Sequence, residues 1–149
     1  MREEGFVTGE VYHVYNRGVD KRRLFYDDSD YERFLESMYL FADQCYLHKS
    51  DPLQRVVKLA SSEIDIGFRD ELVDIFAYCL MPNHYHLLLR QLVDNGISAF
   101  IHKVQMGYTR IFNGKHRRSG TLYEGAFKAK RVGKDAYFSY LPVYIHLNR

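Results

Sequence analysis

The side chains best suited to chemistry in this sequence are His84 and His86, separated by Tyr85, and Tyr144 with Asn148 near the C-terminus. If the segment from His84 is a strand, residues i and i+2 point to one face, so the two imidazoles stand side by side and Tyr85 points away. Neutral imidazoles at that spacing suit a shared metal ion. Two hydrogen-bonded histidines at a strand end are the alternative that the pattern leaves open. If the last fifteen or so residues are a helix, the i, i+4 spacing puts Tyr144 and Asn148 on one face, with Cα atoms about 6 Å apart along the axis. A phenol there could attack an electrophile, and an amide oxygen could complete the coordination of a metal. Tyr137, Tyr140 and Tyr144 also recur at helical spacing, which is equally the pattern of a packed aromatic stripe.

The elements that must position these groups follow from hydrophobic periodicity. Val11, His13 and Tyr15 alternate with Tyr12, Val14 and Asn16, which predicts a strand from Glu10 to Asn16 that ends at Gly18. Asp27-Asp28-Ser29-Asp30 supplies N-cap residues for a helix whose apolar positions, from Tyr31 to Phe41, predict an extent to about Tyr46. Residues 47–70 read as an irregular excursion with no assigned role. Leu72 to Leu80 is a continuous apolar strand, Met81-Pro82-Asn83 breaks it, and His84 to Arg90 returns as the second arm of a hairpin. Asp94-Asn95-Gly96 opens another helix, which is expected to stop near Asn113-Gly114 before a basic loop. Gly125 to Val132 alternates as a fourth strand. Lys134 to Asn148 reads as a final helix, in which Pro142 lacks an N–H and is expected to produce a kink or a new start. The order β-α-β-β-α-β-α predicts one α+β domain over residues 1–149, an antiparallel sheet with its helices mainly on one face.

Composition narrows the partners. Hydrophobic residues at 46% and charged residues at 27% exclude a disordered tail, and the longest apolar run, Ile75 to Met81, is too short to span a bilayer. The N-terminal residues lack the apolar stretch of a signal peptide. Cys45 and Cys79 lie in apolar segments and read as buried thiols of a reducing compartment, which predicts a cytoplasmic protein. The net charge of +2 hides a division: the N-terminal half is acidic, and between Lys103 and Lys134 Glu124 is the sole acid. Such a one-sided field suggests a polyanionic partner. Lys103, Arg110, Lys115, Arg117 and Arg118, extended by Lys128, Lys130 and Arg131, are expected to form a phosphate-contacting face; a solvated helix face plus a basic loop is the other reading. Asn16 and Arg17 are further candidates for phosphate contact or for a turn. Phe112 and Tyr123 could stack on an unpaired base or pack in the core, and a salt bridge is the simplest role for Glu124.

Three segments together resemble the REP-associated tyrosine transposases, a family of HUH single-strand nucleases. They are Gly9-Glu-Val-Tyr-His-Val-Tyr-Asn-Arg-Gly18, Leu80-Met-Pro-Asn-His-Tyr-His-Leu-Leu88 and Tyr144-Ile-His-Leu-Asn148. Leu122-Tyr-Glu-Gly-Ala-Phe-Lys128 also matches the strand before that family's last helix, and the resemblance runs from about residue 9 to the end. It implies a ferredoxin-like sheet of about four to five strands. It implies a divalent metal, Mg²⁺ or Mn²⁺, held by His84, His86 and Asn148, with imidazole better suited to Mn²⁺. It implies Tyr144 as nucleophile and, as substrate, single-stranded DNA beside a palindromic hairpin, cut to a 5′-phosphotyrosine and a free 3′-hydroxyl. Monomer and homodimer both stay open. Two rival readings are a hairpin-binding module that does not cleave, and a metal-dependent hydrolase in which water attacks and Tyr144 is structural. A covalent protein–DNA adduct belongs to the first reading alone.

Overall fold

Four strands carry the alternating segments: β1 (Val11–Arg17), β2 (Val73–Met81), β3 (His84–Gln91) and β4 (Lys128–Val132). They form one antiparallel sheet in the order β2-β3-β1-β4. This is a computed structural model, and it describes residues 5–43 and 71–133. The helices are α1 (Asp28–Phe41) and α2 (Gly96–Lys115), and a single 3₁₀ turn, Val19–Lys21, follows β1. Strand β3 lies between β1 and β2, so the β1-α1-β2 crossover is split, which is the ferredoxin-like arrangement. The α+β order predicted from periodicity holds through β4. The expected final helix, the excursion at 47–70 and Cys45 lie outside the described residues.

Period two sorts the sheet into two faces. Tyr12 and Val14 of β1 and Tyr85, Leu87 and Leu89 of β3 point to the helices, where they join Phe34 and Met38 of α1 and Phe100, Ile101, Val104, Tyr108 and Phe112 of α2. Burying each such side chain stabilises the fold by about 1.5–3 kcal/mol. The opposite face carries a smaller cluster of Val11, Ala77, Cys79, Leu88 and Val132. Cys79 is buried, as its apolar setting predicts.

The helix ends show what propensity alone does not. Asp27 caps α1 by accepting the Asp30 N–H at 3.0 Å, as the acidic cluster predicts. The helix stops at Phe41 rather than near Tyr46, because the Ala42 carbonyl accepts the Leu72 N–H at 2.6 Å and Asp43 bridges Glu71. Tertiary pairing overrides the continuing apolar spacing. Helix α2 takes its cap from the sheet: the buried Gln91 side chain at the end of β3 accepts the Ile97 N–H at 3.1 Å. Gly96 is required there, since a Cβ would sit 2.4 Å from the Leu72 carbonyl oxygen.

A buried carboxylate ties the two helices together. Asp30 accepts the Tyr26 N–H at 2.9 Å, Lys115 Nζ at 2.9 Å and His116 Nε2 at 3.2 Å, and its side chain is 3% exposed. Burial alone would raise the Asp30 pKa; the bonds from Lys115, Tyr26 and His116 outweigh it and hold the carboxyl below its usual range. The tie is therefore complete above the ordinary carboxylate pKa and fades as pH falls through that range toward the lower folded value. Asp30→Ala should cost about 2–3 kcal/mol at neutral pH, and the difference from wild type should narrow at an acid pH below the ordinary carboxylate range, where the native carboxyl protonates as well. Urea unfolding of both proteins at the two pH values checks this; a gap that stays constant would remove the carboxylate from the account.

Candidate nucleic-acid and metal site

The pleat of β3 buries Tyr85 completely and turns His84 and His86 to the face opposite α1 and α2. Their ring centroids are 5.1 Å apart with planes at 89°. Tyr85 is the anchor beneath them. Its hydroxyl donates to Gln105 Oε1 of α2 at 2.5 Å, and the same oxygen accepts Asn16 Nδ2 at 3.0 Å. Asn16 also donates to the Gly125 carbonyl and accepts the Arg17 N–H. Asn16 is buried at the foot of the cleft it lines, and it joins the end of β1 to the middle of α2 and to the loop before β4.

Strand order adds a third imidazole that spacing could not reveal. His13 of β1 lies diagonally across from His86, with His13 Nε2 and His86 Nδ1 2.9 Å apart and their rings stacked at 5.1 Å. Tyr15 is on the same face, with its ring 6.0 Å from that of His86. His84 Nδ1 is 2.7 Å from Asn83 Oδ1. The Asn83 amide nitrogen faces the Lys21 carbonyl, so its oxygen faces His84, and the His84 Nδ1 must carry the proton. Burial lowers the His84 pKa, and burial with Lys130 lowers that of His13. Burial first, then the neighbouring His13 and His84, bring His86 down to about 4. All three rings are neutral at physiological pH, the form in which imidazole binds metals. Among the described residues, no group of three or more His, Cys, Asp or Glu side chains is arranged to hold a metal ion. Asn148 and Tyr144 lie outside the described residues.

The expected basic face divides between two surfaces. Lys128 pairs with Tyr15 and Lys130 with His13, so both lysines share the histidine face, while Arg131 turns the other way and pairs with Glu10 at 3.0 Å. Lys103 and Arg110 lie on α2, opposite its buried stripe. Lys115 is neutralised by Asp27 and Asp30, and Arg118 donates to Asn113 Oδ1 and the Thr121 carbonyl. Arg117 is exposed in the turn after α2, with φ 52°. Arg17 forms a two-pronged pair with Glu124, the salt bridge expected of that acid; a phosphate at Arg17 must displace a carboxylate. Phe112 and Tyr123 are buried, which excludes both as exposed stacking platforms. Together Tyr15, Arg17, Lys21, His84, His86 and Lys128 line a cleft of about 490 Å³ at one end of the sheet.

Comparison with known proteins decides the family. The sequence profile of the family described as "Transposase IS200 like" matches residues 56–148, more than half of the chain. The chain belongs to the IS200-like transposases. A solved REP-associated tyrosine transposase bound to a REP hairpin has the same fold, with a TM-score of 0.65 at 11% identity over 99% of this chain and 71% of that one. A crystal structure of a candidate transposase from Deinococcus radiodurans R1 gives 0.51 at 14% identity, over 99% and 96%. None of the curated proteins matches the chain. No helix among the described residues is long and apolar enough to cross a membrane. For this IS200-like chain the histidine pair, the cations and the cleft coincide at one end of the sheet.

Sequence reasoning missed His13, Lys21 and Asn83 as parts of the site. His13 and Tyr15 carry a period-two signal on β1, yet only the β1–β3 register brings it to His86. At neutral pH, ¹⁵N spectra of the metal-free protein should show His84 protonated on Nδ1 and bare on Nε2. Asn83→Ala should release the ring toward the Nε2–H tautomer. Finding that tautomer already in wild type would contradict the Asn83 hydrogen bond.

Proposed function

We propose that this protein is a metal-dependent single-stranded DNA strand transferase whose nucleophile is Tyr144 and whose substrate is a hairpin-flanked strand. The observation that carries the reading is the His84–His86 pair, set in a basic cleft of a chain that belongs to a transposase family. The hairpin follows the REP-bound relative of the same fold and the motif resemblance. Lys128 and Lys130, with Lys21 and Arg17, attract and position the phosphate backbone; Lys103, Arg110, Arg117 and Arg118 extend the field over the helix side.

The donors present fit a divalent ion. His84 directs its Nδ1 proton to Asn83, and His86 engages His13 through Nδ1, so Nε2 is the nitrogen of each ring that would ligate when Nδ1 holds the proton. His84 and His86 would hold the ion with Asn148. A bound divalent ion polarises the scissile phosphate as a Lewis acid. The chain's residues do the rest. His13 and Asn83 orient the two imidazoles, and the cations of the cleft fix the phosphodiester. The Tyr144 Oη attacks phosphorus and gives up its proton, forming a phosphate–tyrosine ester as the bond to the 3′-oxygen breaks. The 3′-oxygen leaves as a hydroxyl after taking up a proton. The ester keeps the phosphodiester energy, so a second 3′-hydroxyl can reverse the step without a nucleotide cofactor.

A labelled hairpin with a single-stranded flank, incubated with Mn²⁺ or Mg²⁺ and run on a denaturing gel, tests this. Tyr144→Phe should abolish the adduct and the cleavage while retaining DNA binding. Cleavage without an adduct in wild type would point to attack by water, and binding without cleavage to a recognition module. His13→Ala, read by Mn²⁺ titration rather than by turnover, should weaken metal affinity about 10- to 100-fold; unchanged affinity would reduce His13 to packing.

A further inference from the structure

Arg22 lies one residue beyond the cleft-lining Lys21, and its guanidinium carbon sits 5.5 Å from the centroid of the Phe112 ring. Among the described residues its side chain has neither a carboxylate partner nor a hydrogen-bond acceptor, and its Nε is buried without one. A guanidinium in that state has lost water at Nε and gained no protein oxygen in return, a cost that an anion at its outer edge offsets. Arg118 holds a second guanidinium 5.9 Å from the centroid of the same ring, and its two bonded acceptors, Asn113 Oδ1 and the Thr121 carbonyl, are both neutral. The nearby acids, Asp27 and Asp30, are already engaged by Lys115 and His116. Two arginines thus converge on one buried ring, and among the described residues no negative charge is paired to either. Burial and the field of Arg22 both lower the Arg118 pKa, as expected for like charges held close.

The backbone on both sides is committed to this display. Asp20 and Lys21 are consecutive non-glycine residues with φ of 54° and 58°, and Arg117 has φ 52°. Left-handed conformations of this kind are costly and persist where the surroundings hold them. The Val19 N–H bonds the Leu122 carbonyl at 2.9 Å, which fastens the Arg22 segment to the loop that follows Arg118.

We infer that Arg22 and Arg118, backed by Phe112, form a phosphate clamp for the nucleic-acid backbone, taking a phosphodiester of the DNA strand where it leaves the cleft past Lys21. The clamp rests on the nucleic-acid reading of the cleft and is independent of the identity of the nucleophile. Because phosphate contacts carry no base information, a hairpin of arbitrary sequence with a single-stranded flank serves as the probe.

Binding of that DNA is measured against salt for wild type, Arg22→Gln and Arg22→Lys, with thermal unfolding of each as the folding control. Arg22→Gln should weaken binding about tenfold and flatten the slope of log K against log salt by about 0.7–0.9. Arg22→Lys should keep the slope, since the charge remains, yet lose affinity, since the planar fork is gone. Neutral methylphosphonates placed one at a time along the probe locate the contact. At one position wild type should lose affinity and Arg22→Gln should lose nothing more; if Arg22→Gln fails to fold, Arg118→Gln takes its place in the scan. Equal slopes for wild type and Arg22→Gln, or full recovery by lysine, would overturn the clamp and leave DNA binding standing. Wild type that binds no DNA at any salt would overturn both readings.

Discussion

The burial of Tyr85 is the constraint on which the site depends. A strand cannot turn one residue inward without turning its two neighbours outward, and Tyr85 is held inward by complete burial and by its bond to Gln105. A one-residue slip of β3 would put two imidazoles into the aromatic core and a phenol onto the opposite face, and would disrupt Leu87 and Leu89 at the same time. The register is therefore enforced by the whole core rather than by any bond to the histidines. Asn16 extends the constraint to β1 and to the loop before β4 through the same glutamine. The polar end of the sheet is tied from beneath by the Tyr85–Gln105–Asn16 network.

Electrostatics divides the molecule along the same line. The carboxylates of α1 claim Lys115 and His116, Glu124 claims Arg17 and Glu10 claims Arg131. What remains for a polyanion lies on two surfaces: Lys21, Lys128 and Lys130 on the side of the sheet that carries the histidines, and Lys103, Arg110 and Arg117 on and after α2. Exposed pairs such as Arg17–Glu124 contribute little to folding. Their larger effect is to hold a long side chain in place beside the cleft until a stronger anion competes for it.

Much of the fold was legible because its signals are local. Alternation located the four strands to within a few residues, helical spacing located α1 and α2, and Asp27 announced its own cap. The shared face of His84 and His86 follows from the pleat alone. The rest is set by partners far away in sequence. His13 reaches His86 because β1 and β3 are neighbours, and α1 ends where Leu72 takes its Ala42 carbonyl. The basic residues, contiguous in charge along the chain, fall on different surfaces because α2 packs on one side of the sheet while β4 shows Lys128 and Lys130 on the other. Phe112 and Tyr123 illustrate the same limit, since an aromatic residue has one appearance in a sequence whether it packs or stacks.

The position of β1 in the sheet also sets the order in which the molecule can be made. This strand is first in the chain and central in the sheet, and both its neighbours come much later: His13 is paired with Leu88 on one side and with Lys130 on the other. On the ribosome it has no strand partner until β3 has emerged and only one until β4 follows. Such long-range pairing makes folding slow and leaves an apolar strand waiting. Among the described strands β4 is the last to emerge, so Lys128 and Lys130 reach the histidine face only after β1 and β3 are able to pair.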